Sequence, residues 1–404
     1  MVQSDPEHQA RLPSERARRR RGGRLVLGAV VCTVALVAIF VTLVSAGTGS
    51  ARPNGPTGHP RGVHPGRTKT SLTRMAVVAL PDPDAPPPNP NPAVPGVVVE
   101  SGEDESDPVL DVDSGRYFLY TSGVPGVRWV NVPVSWSTQF GSWSAVIDAL
   151  PTLPSWVAPG FTWAPDVHQF GNTYVLYFTA MVRGTSPGME CIGDATSALP
   201  SGPFTPLPNP FICQSNLGGS IDPRVFVAPN GTDYMLWKSD QNIGGANTPT
   251  QMWSQPLAAD GLRLVGQPAL LLHPDEPWEG TIVEAPDMVE VHGAYWLIYS
   301  GNWFNGPHYA IGAARCAGPL GPCLDLPDNP LLGSNLQGQG PGEASVFADS
   351  AGVWMLYSPW QSEAPNPDIP PRPVVITRLG FAPSGPYLAA GGPPPALNIL
   401  PRPF

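Results

Sequence analysis

Apolar positions divide the chain into three stretches of different character. Leu25 to Ala46 is one uncharged apolar run of 22 residues. As a helix rising about 1.5 Å per residue it reaches about 33 Å, enough for a bilayer core of roughly 30 Å. Residues 47–97 show no period. Their stretch Pro81-Asp-Pro-Asp-Ala-Pro-Pro-Pro-Asn-Pro-Asn-Pro lacks the amide donors that helix and sheet need, and predicts an extended, polyproline-like linker. From residue 98 to 404 the pattern becomes short apolar and aromatic runs punctuated by turn residues, which predicts strands.

Those runs repeat. Gly115-Arg-Tyr-Phe-Leu-Tyr is echoed by Gly171-Asn-Thr-Tyr-Val-Leu-Tyr, Gly231-Thr-Asp-Tyr-Met-Leu-Trp, Gly293-Ala-Tyr-Trp-Leu-Ile-Tyr and Gly352-Val-Trp-Met-Leu-Tyr. The glycines stand 56, 60, 62 and 59 residues apart. Each copy reads as a tight turn entering an aromatic-rich strand, and a near-constant period holding several strands is a propeller signature. The predicted fold is therefore all-β: a five-bladed β-propeller over 98–404, preceded by a transmembrane or signal helix and a Pro-rich linker. Five to nine residues before each glycine lies an acidic or proline-bearing cluster: Asp107-Pro108, Ala164-Pro165-Asp166, Asp222-Pro223, Ala285-Pro286-Asp287 and Gly340-Pro341-Gly342-Glu343. A propeller gathers equivalent positions of its blades at one end of its axis, so these carboxylates are expected to converge.

Composition supports the picture. The chain holds 54 prolines and 44 glycines, and only 13% of its residues are charged, which disfavours long helices. Residues 1–24 carry seven Arg against three acids, a balance of +4 that leaves −14 for the rest. An acidic body offers nucleic acid no basic footprint, but it suits a neutral glycan. The Arg cluster puts residues 1–24 in the cytoplasm and the body outside. Residues 25–46 are then a retained anchor of type II orientation or a signal cleaved after Val44-Ser45-Ala46. Either way the partners expected are a membrane, through that segment, and a polysaccharide or oligosaccharide. Besides Cys32 in the apolar run, Cys191, Cys213, Cys316 and Cys323 suit an oxidising compartment. Four cysteines permit three pairings, of which Cys191–Cys213 with Cys316–Cys323 is the sequence-local one.

Glycosidic hydrolysis needs a proton donor for the leaving oxygen and help for the nucleophile, hence two carboxyl groups; a third can tune the donor. Asp107, Asp222 and Glu284 supply such a set from blades one, three and four. The runs Ser106-Asp-Pro-Val-Leu, Ile221-Asp-Pro-Arg-Val-Phe and Val283-Glu-Ala-Pro-Asp-Met resemble glycoside hydrolase family 43, the arabinanase, arabinofuranosidase and xylosidase family. Trp163-Ala-Pro-Asp, Trp278-Glu279, Tyr299-Ser-Gly-Asn, Tyr309-Ala-Ile-Gly, Cys191-Ile-Gly-Asp-Ala-Thr-Ser and Gly202-Pro-Phe extend the resemblance over about residues 98–380.

The resemblance implies an inverting hydrolase of arabinofuranosyl- or xylosyl-containing glycans. Asp107 would be the general base, Glu284 the general acid and Asp222 the modulator of the acid's pKa. Inversion implies carboxyls of Asp107 and Glu284 roughly 6.5–9.5 Å apart. The chain departs from the family at blade five. Many members carry His in the slot of Glu343, where it helps hold a central metal or water, and often another His near Ser358. No cofactor is required by this reading. Glu343 is nonetheless a candidate ligand for a structural Ca²⁺ on the axis, since Ca²⁺ favours carboxylate oxygens. The departure also supports the alternative of a catalytically idle glycan-binding propeller at the cell surface. For the sugar, Trp163 and Asp166 are the expected substrate-binding residues. Trp136, Trp143, Trp253 and Trp303 are candidates for the rim, and Lys238 and Asp240, after the blade-three strand, are candidate polar contacts, with a solvated turn the expected reading.

Overall fold

The computed structural model describes residues 97–100, 105–123, 130–138, 142–185, 188–243, 248–335, 338–349, 352–360 and 372–389. The basic segment 1–24, the apolar run 25–46 and the linker as far as residue 96 lie outside the described residues. Among the described residues no helix is long and apolar enough to cross a membrane.

The described chain forms five antiparallel sheets in sequence order, each a blade. Blade one holds Val109–Asp113, Arg116–Tyr120, Pro133–Ser137 and Ile147–Asp148. Blade two begins with Val157–Phe170, blade three with Ser220–Val227, blade four with Val283–Val291 and blade five with Gln339–Asp349. These first strands contact one another in a closed ring, one to two, two to three, three to four, four to five and five to one, and so line the axis.

The ring is closed by both ends of the domain. Val97–Glu100 pairs antiparallel with the blade-five strand Val374–Ala382, Val97 opposite Ile376, and Gly385–Ala389 pairs further along the same strand. Residues from the start of the propeller thus finish its last blade.

The periodic glycines sit at the tips of the first hairpin of each blade. Gly115, Gly171, Gly231 and Gly293 have φ between 61° and 82°, a left-handed conformation that glycine adopts without steric cost. The aromatic strands that follow fill the spaces between blades. Phe118, Tyr120, Tyr174 and Phe178 pack between blades one and two, and Tyr177, Trp237 and Met235 between two and three. Phe226, Leu236, Leu297 and Tyr299 lie between three and four, Ile298, Met355 and Tyr357 between four and five. Tyr117, Leu119, Trp354 and Ile376 complete the circle between five and one. No blade buries its faces alone, so the five apolar seams hold the ring together.

Both sequence-local disulfides form. Cys191–Cys213 ties the third strand of blade two (Glu190–Ser197) to the loop leading to blade three, and Cys316–Cys323 joins facing residues of the outer strands of blade four.

Candidate active site

Each blade carries one non-glycine residue with left-handed backbone at the same point, within the first strand in blades two to five and two residues before it in blade one: Asp107 (φ 53°), Ala164 (45°), Asp222 (55°), Ala285 (51°) and Glu343 (53°). In blades two to five a β-bulge breaks the register there, between Trp163 and Asp166, Ile221 and Arg224, Glu284 and Asp287, and Gly342 and Ser345. Such a conformation costs about 1–3 kcal/mol and persists only where neighbours impose it. Here the neighbouring blade does so by capturing the bulged amide. The Ala164 N–H donates to Ser122 Oγ at 2.9 Å, Asp222 N–H to Thr179 Oγ1 at 3.1 Å and Glu343 N–H to Ser300 Oγ at 3.0 Å. Ala285 N–H donates instead to the Asp222 carboxylate, Oδ2, at 3.0 Å.

This geometry corrects the sequence alignment of the blades. Asp107 and Asp222 are equivalent, but the blade-four equivalent is Ala285, and Glu284 stands one residue earlier. Glu284 nevertheless reaches the same place. Single carboxylate oxygens of Asp222, Glu284 and Glu343 all lie within 4.8 Å of one another, and Asp107 is close enough to raise the pKa of both Asp222 and Glu343. Burial pushes the Asp222 carboxyl up to about 7, opposed by Lys238 and reinforced by Glu284. Asp107 is held from blade one: the Ser122 hydroxyl, itself an acceptor for Ala164 N–H, donates to Asp107 Oδ2.

Asp166 takes a different position from the one expected of a sugar contact. It lies two residues past the bulge, one rung down the axis, and is buried. Its Oδ1 is 3.1 Å from Arg224 Nη1 and its Oδ2 accepts the Val225 N–H at 2.8 Å. Asp287 occupies the matching rung of blade four, with Oδ2 3.5 Å from Arg224 Nε and accepting the Val346 N–H at 2.8 Å. Asp166, Arg224 and Asp287 therefore form a buried ion triad that crosses from blade two to blade four beneath the upper carboxylates.

Lys238 and Asp240 are also corrected. Neither is in a solvated turn: Lys238 is 1% exposed and Asp240 fully buried. Lys238 Nζ lies 2.8 Å from Glu284 Oε2 and 3.4 Å from Asp240 Oδ1. The blade repeat contains the signal for this burial. Lys238 precedes Ser239 as Thr121, Phe178, Tyr299 and Tyr357 precede Ser122, Thr179, Ser300 and Ser358, and all four of those are buried.

Of the aromatic candidates, Trp163 directly precedes the blade-two bulge, half-buried, with Phe161 edge-on at 6.1 Å. Trp303 is 45% exposed beyond the second strand of blade four. Trp136, Trp143 and Trp253 are partly buried and pack against the seams between blades, Trp253 stacked on Trp237.

Glu343 Oε1 accepts the Tyr309 hydroxyl at 2.5 Å. Burial and the carboxylates of Asp107, Asp222 and Glu284 push its pKa well above the usual range. The contact depends on a missing side chain, because a Cβ on Gly342 would fall 1.8 Å from Tyr309 Cε1. These surroundings fit a Ca²⁺ cage poorly. Besides Glu343 the nearby carboxylates among the described residues are Asp107, which accepts from the Ser122 hydroxyl, Asp222, engaged by Ala285, and Glu284, engaged by Lys238, whereas Ca²⁺ takes six to eight oxygens.

A profile of Glycosyl hydrolases family 43 matches residues 97–386, which takes in all five bladed sheets. The chain belongs to this family. Among curated proteins it is similar to xylosidase/arabinosidase 43A of Humicola insolens, 38% identical over 105 residues, 24% of this chain and 30% of that protein. β-D-galactofuranosidase xynD of Aspergillus niger is 24% identical over 216 residues, 50% of this chain and 57% of that protein. The matches thus span less than two thirds of either relative. Among solved structures, a thermostable family-43 glycoside hydrolase superposes with TM-score 0.63 at 27% identity, covering 76% of this chain and 98% of that one. The endo-arabinase of Bacteroides thetaiotaomicron shares the fold, with TM-score 0.56 and 22% identity over 71% of this chain and 98% of that one. The family-43 match contains Asp107, Asp222, Glu284 and Glu343 alike.

Proposed function

We propose that the protein is an inverting glycoside hydrolase of arabinofuranosyl- or xylosyl-containing polysaccharides or oligosaccharides, working outside the cytoplasm, tethered by residues 25–46 or released from them. The observation that carries this reading is that single carboxylate oxygens of Asp222 and Glu284, from blades three and four, lie within 4.8 Å of each other, with Asp107 of blade one near enough to act on the charge of Asp222. Names of relatives support the sugar class: a xylosidase/arabinosidase and a galactofuranosidase are among them.

In this reading Asp107, steadied by Ser122, draws a proton from a water as its oxygen bonds to the anomeric carbon. Glu284 delivers its proton to the glycosidic oxygen, which leaves with the electron pair of the broken C–O bond. Opposite-face attack requires room for that water, hence carboxyls roughly 6.5–9.5 Å apart. Asp222 fixes the backbone beside Glu284, and in its ionised form it adds a like charge that resists ionisation of the acid. Trp163 offers a flat apolar face to the sugar ring. Asp166 belongs to the ion triad and contributes rigidity. No step is assigned to a metal.

The test is hydrolysis of aryl α-L-arabinofuranosides and β-D-xylosides, with the configuration of the first-formed sugar read by proton NMR. Inverted product supports the proposal. Sugar binding without turnover, unchanged in Glu284→Gln, points to the glycan-binding alternative.

A further inference from the structure

The buried cation behind Glu284 has a role that the hydrolytic reading leaves unassigned. Lys238 Nζ touches Glu284 Oε2 at 2.8 Å, and its other close neighbour is Asp240, at 3.4 Å. Asp240 in turn faces Glu190 of blade two. All four side chains are buried. Two glycines make the approach feasible. A Cβ on Gly218 (φ 81°) would lie 2.3 Å from Asp240 O, and one on Gly219 (φ 130°) 2.2 Å from Glu190 O. The Gly218-Gly219 pair thus lets the end of the second strand of blade three (Asp233–Ser239) close on blade two.

We infer that Lys238 is a positioning residue for the general acid: it orients Glu284 and receives the carboxylate charge left when the proton departs, while Asp240, backed by Glu190, balances Lys238 so that Glu284 can hold its proton beforehand. This rests on the hydrolytic reading. Three ionised acids around one buried ammonium would leave two uncompensated negative charges, which a dry interior does not support. A proton must therefore reside among them. Burial and the facing Asp240 raise Glu190 well above its ordinary range, which makes Glu190 the acid to which this inference assigns that proton. Asp240 then neutralises Lys238, and the fourth group, Glu284, is free to cycle between acid and carboxylate against a fixed cation.

The charged and titratable groups around this unit are few. Among the described residues Glu284 faces Lys238, Asp222, Asp240, Glu343 and Tyr309; Lys238 faces Glu284, Asp240, Asp222 and Glu190; Asp240 faces Lys238, Glu284 and Glu190; Glu190 faces Asp240, Lys238 and Asp222. Removing the cation must make Glu284 a weaker acid, and removing its counter-charge must make it a stronger one.

The experiment is the pH profile of kcat/KM on a phenyl glycoside, whose poor leaving group demands the acid. Its alkaline limb reports loss of the acid's proton. Lys238→Met is expected to move that limb up and Asp240→Asn to move it down, each by about 1–3 pH units. Lys238→Arg should keep it near wild type. Should Lys238→Met fail to fold, the Asp240→Asn arm decides alone. Limbs that stay in place, or that move together while activity falls, overturn the inference. If Glu284→Gln abolishes turnover yet the limbs stay put, the hydrolytic reading survives without it. If wild type turns over neither arabinoside nor xyloside, both fall.

Discussion

Asp222 Oδ2 accepts the backbone N–H of Ala285 at 3.0 Å, so one candidate catalytic carboxylate holds the strained bulge that carries the next. At the other bulges whose amide partner is described, a Ser or Thr hydroxyl does this work. At blade four a carboxylate replaces it, which ties the position of Glu284 to the state of Asp222. Asp222→Ala is expected to leave the buried Ala285 N–H unanswered and to destabilise the domain by about 1–3 kcal/mol. Asp222→Asn keeps an acceptor, and should retain most of that stability while losing activity with the titratable carboxyl. Urea unfolding of the two variants separates them; equal stability losses would show that the hydrogen bond is immaterial.

Loss of a general acid should depend on the leaving group, and loss of a general base should not. Glu284→Gln is expected to cut kcat/KM on phenyl glycosides by about 10²–10⁴-fold, and to cost far less on dinitrophenyl glycosides, whose oxygen departs unprotonated. Asp107→Asn should lose activity by a similar factor on both. Steady-state kinetics on a leaving-group series checks both statements, and the same slope for the two variants would contradict the roles assigned.

How much of this site could be read from the sequence depends on what repeats. Hairpin glycines and the aromatic strands behind them recur because every blade needs the same turn and the same seam filler. Asp-Pro and Ala-Pro-Asp recur because every blade turns through the same left-handed residue where its first strand enters or bulges. What the strings conceal is a one-residue offset. Glu284 and Ala285 read as one cluster with Asp287, yet the bulge sends Glu284 to the mouth and Asp287 a rung below. Asp166 follows the same rule, which is why it pairs with Arg224 and not with a ligand. Lys238 was missed for another reason. A lone lysine at the end of an apolar strand ordinarily reaches solvent, and only alignment of the five copies puts it at a buried position.

Arg224 neutralises Asp166 and Asp287 in the interior of the axis, and truncating it strands two buried acids. Arg224→Met is expected to cost about 3–5 kcal/mol, the penalty for breaking a buried ion pair from one side. Equilibrium unfolding in urea measures it. Arg224→Lys should recover only part, since one ammonium does not match the separate Nη1 and Nε contacts.

Glu343 sits where the family resemblance puts a histidine, and its Tyr309 contact engages one carboxylate oxygen. Activity is therefore expected to survive prolonged chelation, and Tyr309→Phe is expected to disturb turnover more than chelation does. Assay before and after EDTA treatment, with Ca²⁺ added back, is the measurement. Loss on chelation that Ca²⁺ restores would reinstate Glu343 as a ligand.

Buried carboxyls set a pH dependence of stability whose sign follows from their shifts. Burial raises Asp222 to about 7 and Asp325 to about 8, each from the ordinary carboxyl range of about 4. Between about pH 4 and 8 the folded protein thus holds protons that the unfolded chain has released. Stability must then fall as pH rises through that window, because the unfolded state binds fewer protons. The thermal midpoint is expected to be higher at pH 5 than at pH 8. A net charge of −10 at pH 7 pushes in the same direction through self-repulsion, but salt screens that contribution and reaches buried groups much less. The slope should accordingly persist at high ionic strength, and Asp325→Asn should weaken it across the whole window, most completely at the upper end, where Asp325 holds its proton longer than Asp222 does. A midpoint that rises from pH 5 to pH 8 in high salt would mean that these carboxyls are not protonated in the fold.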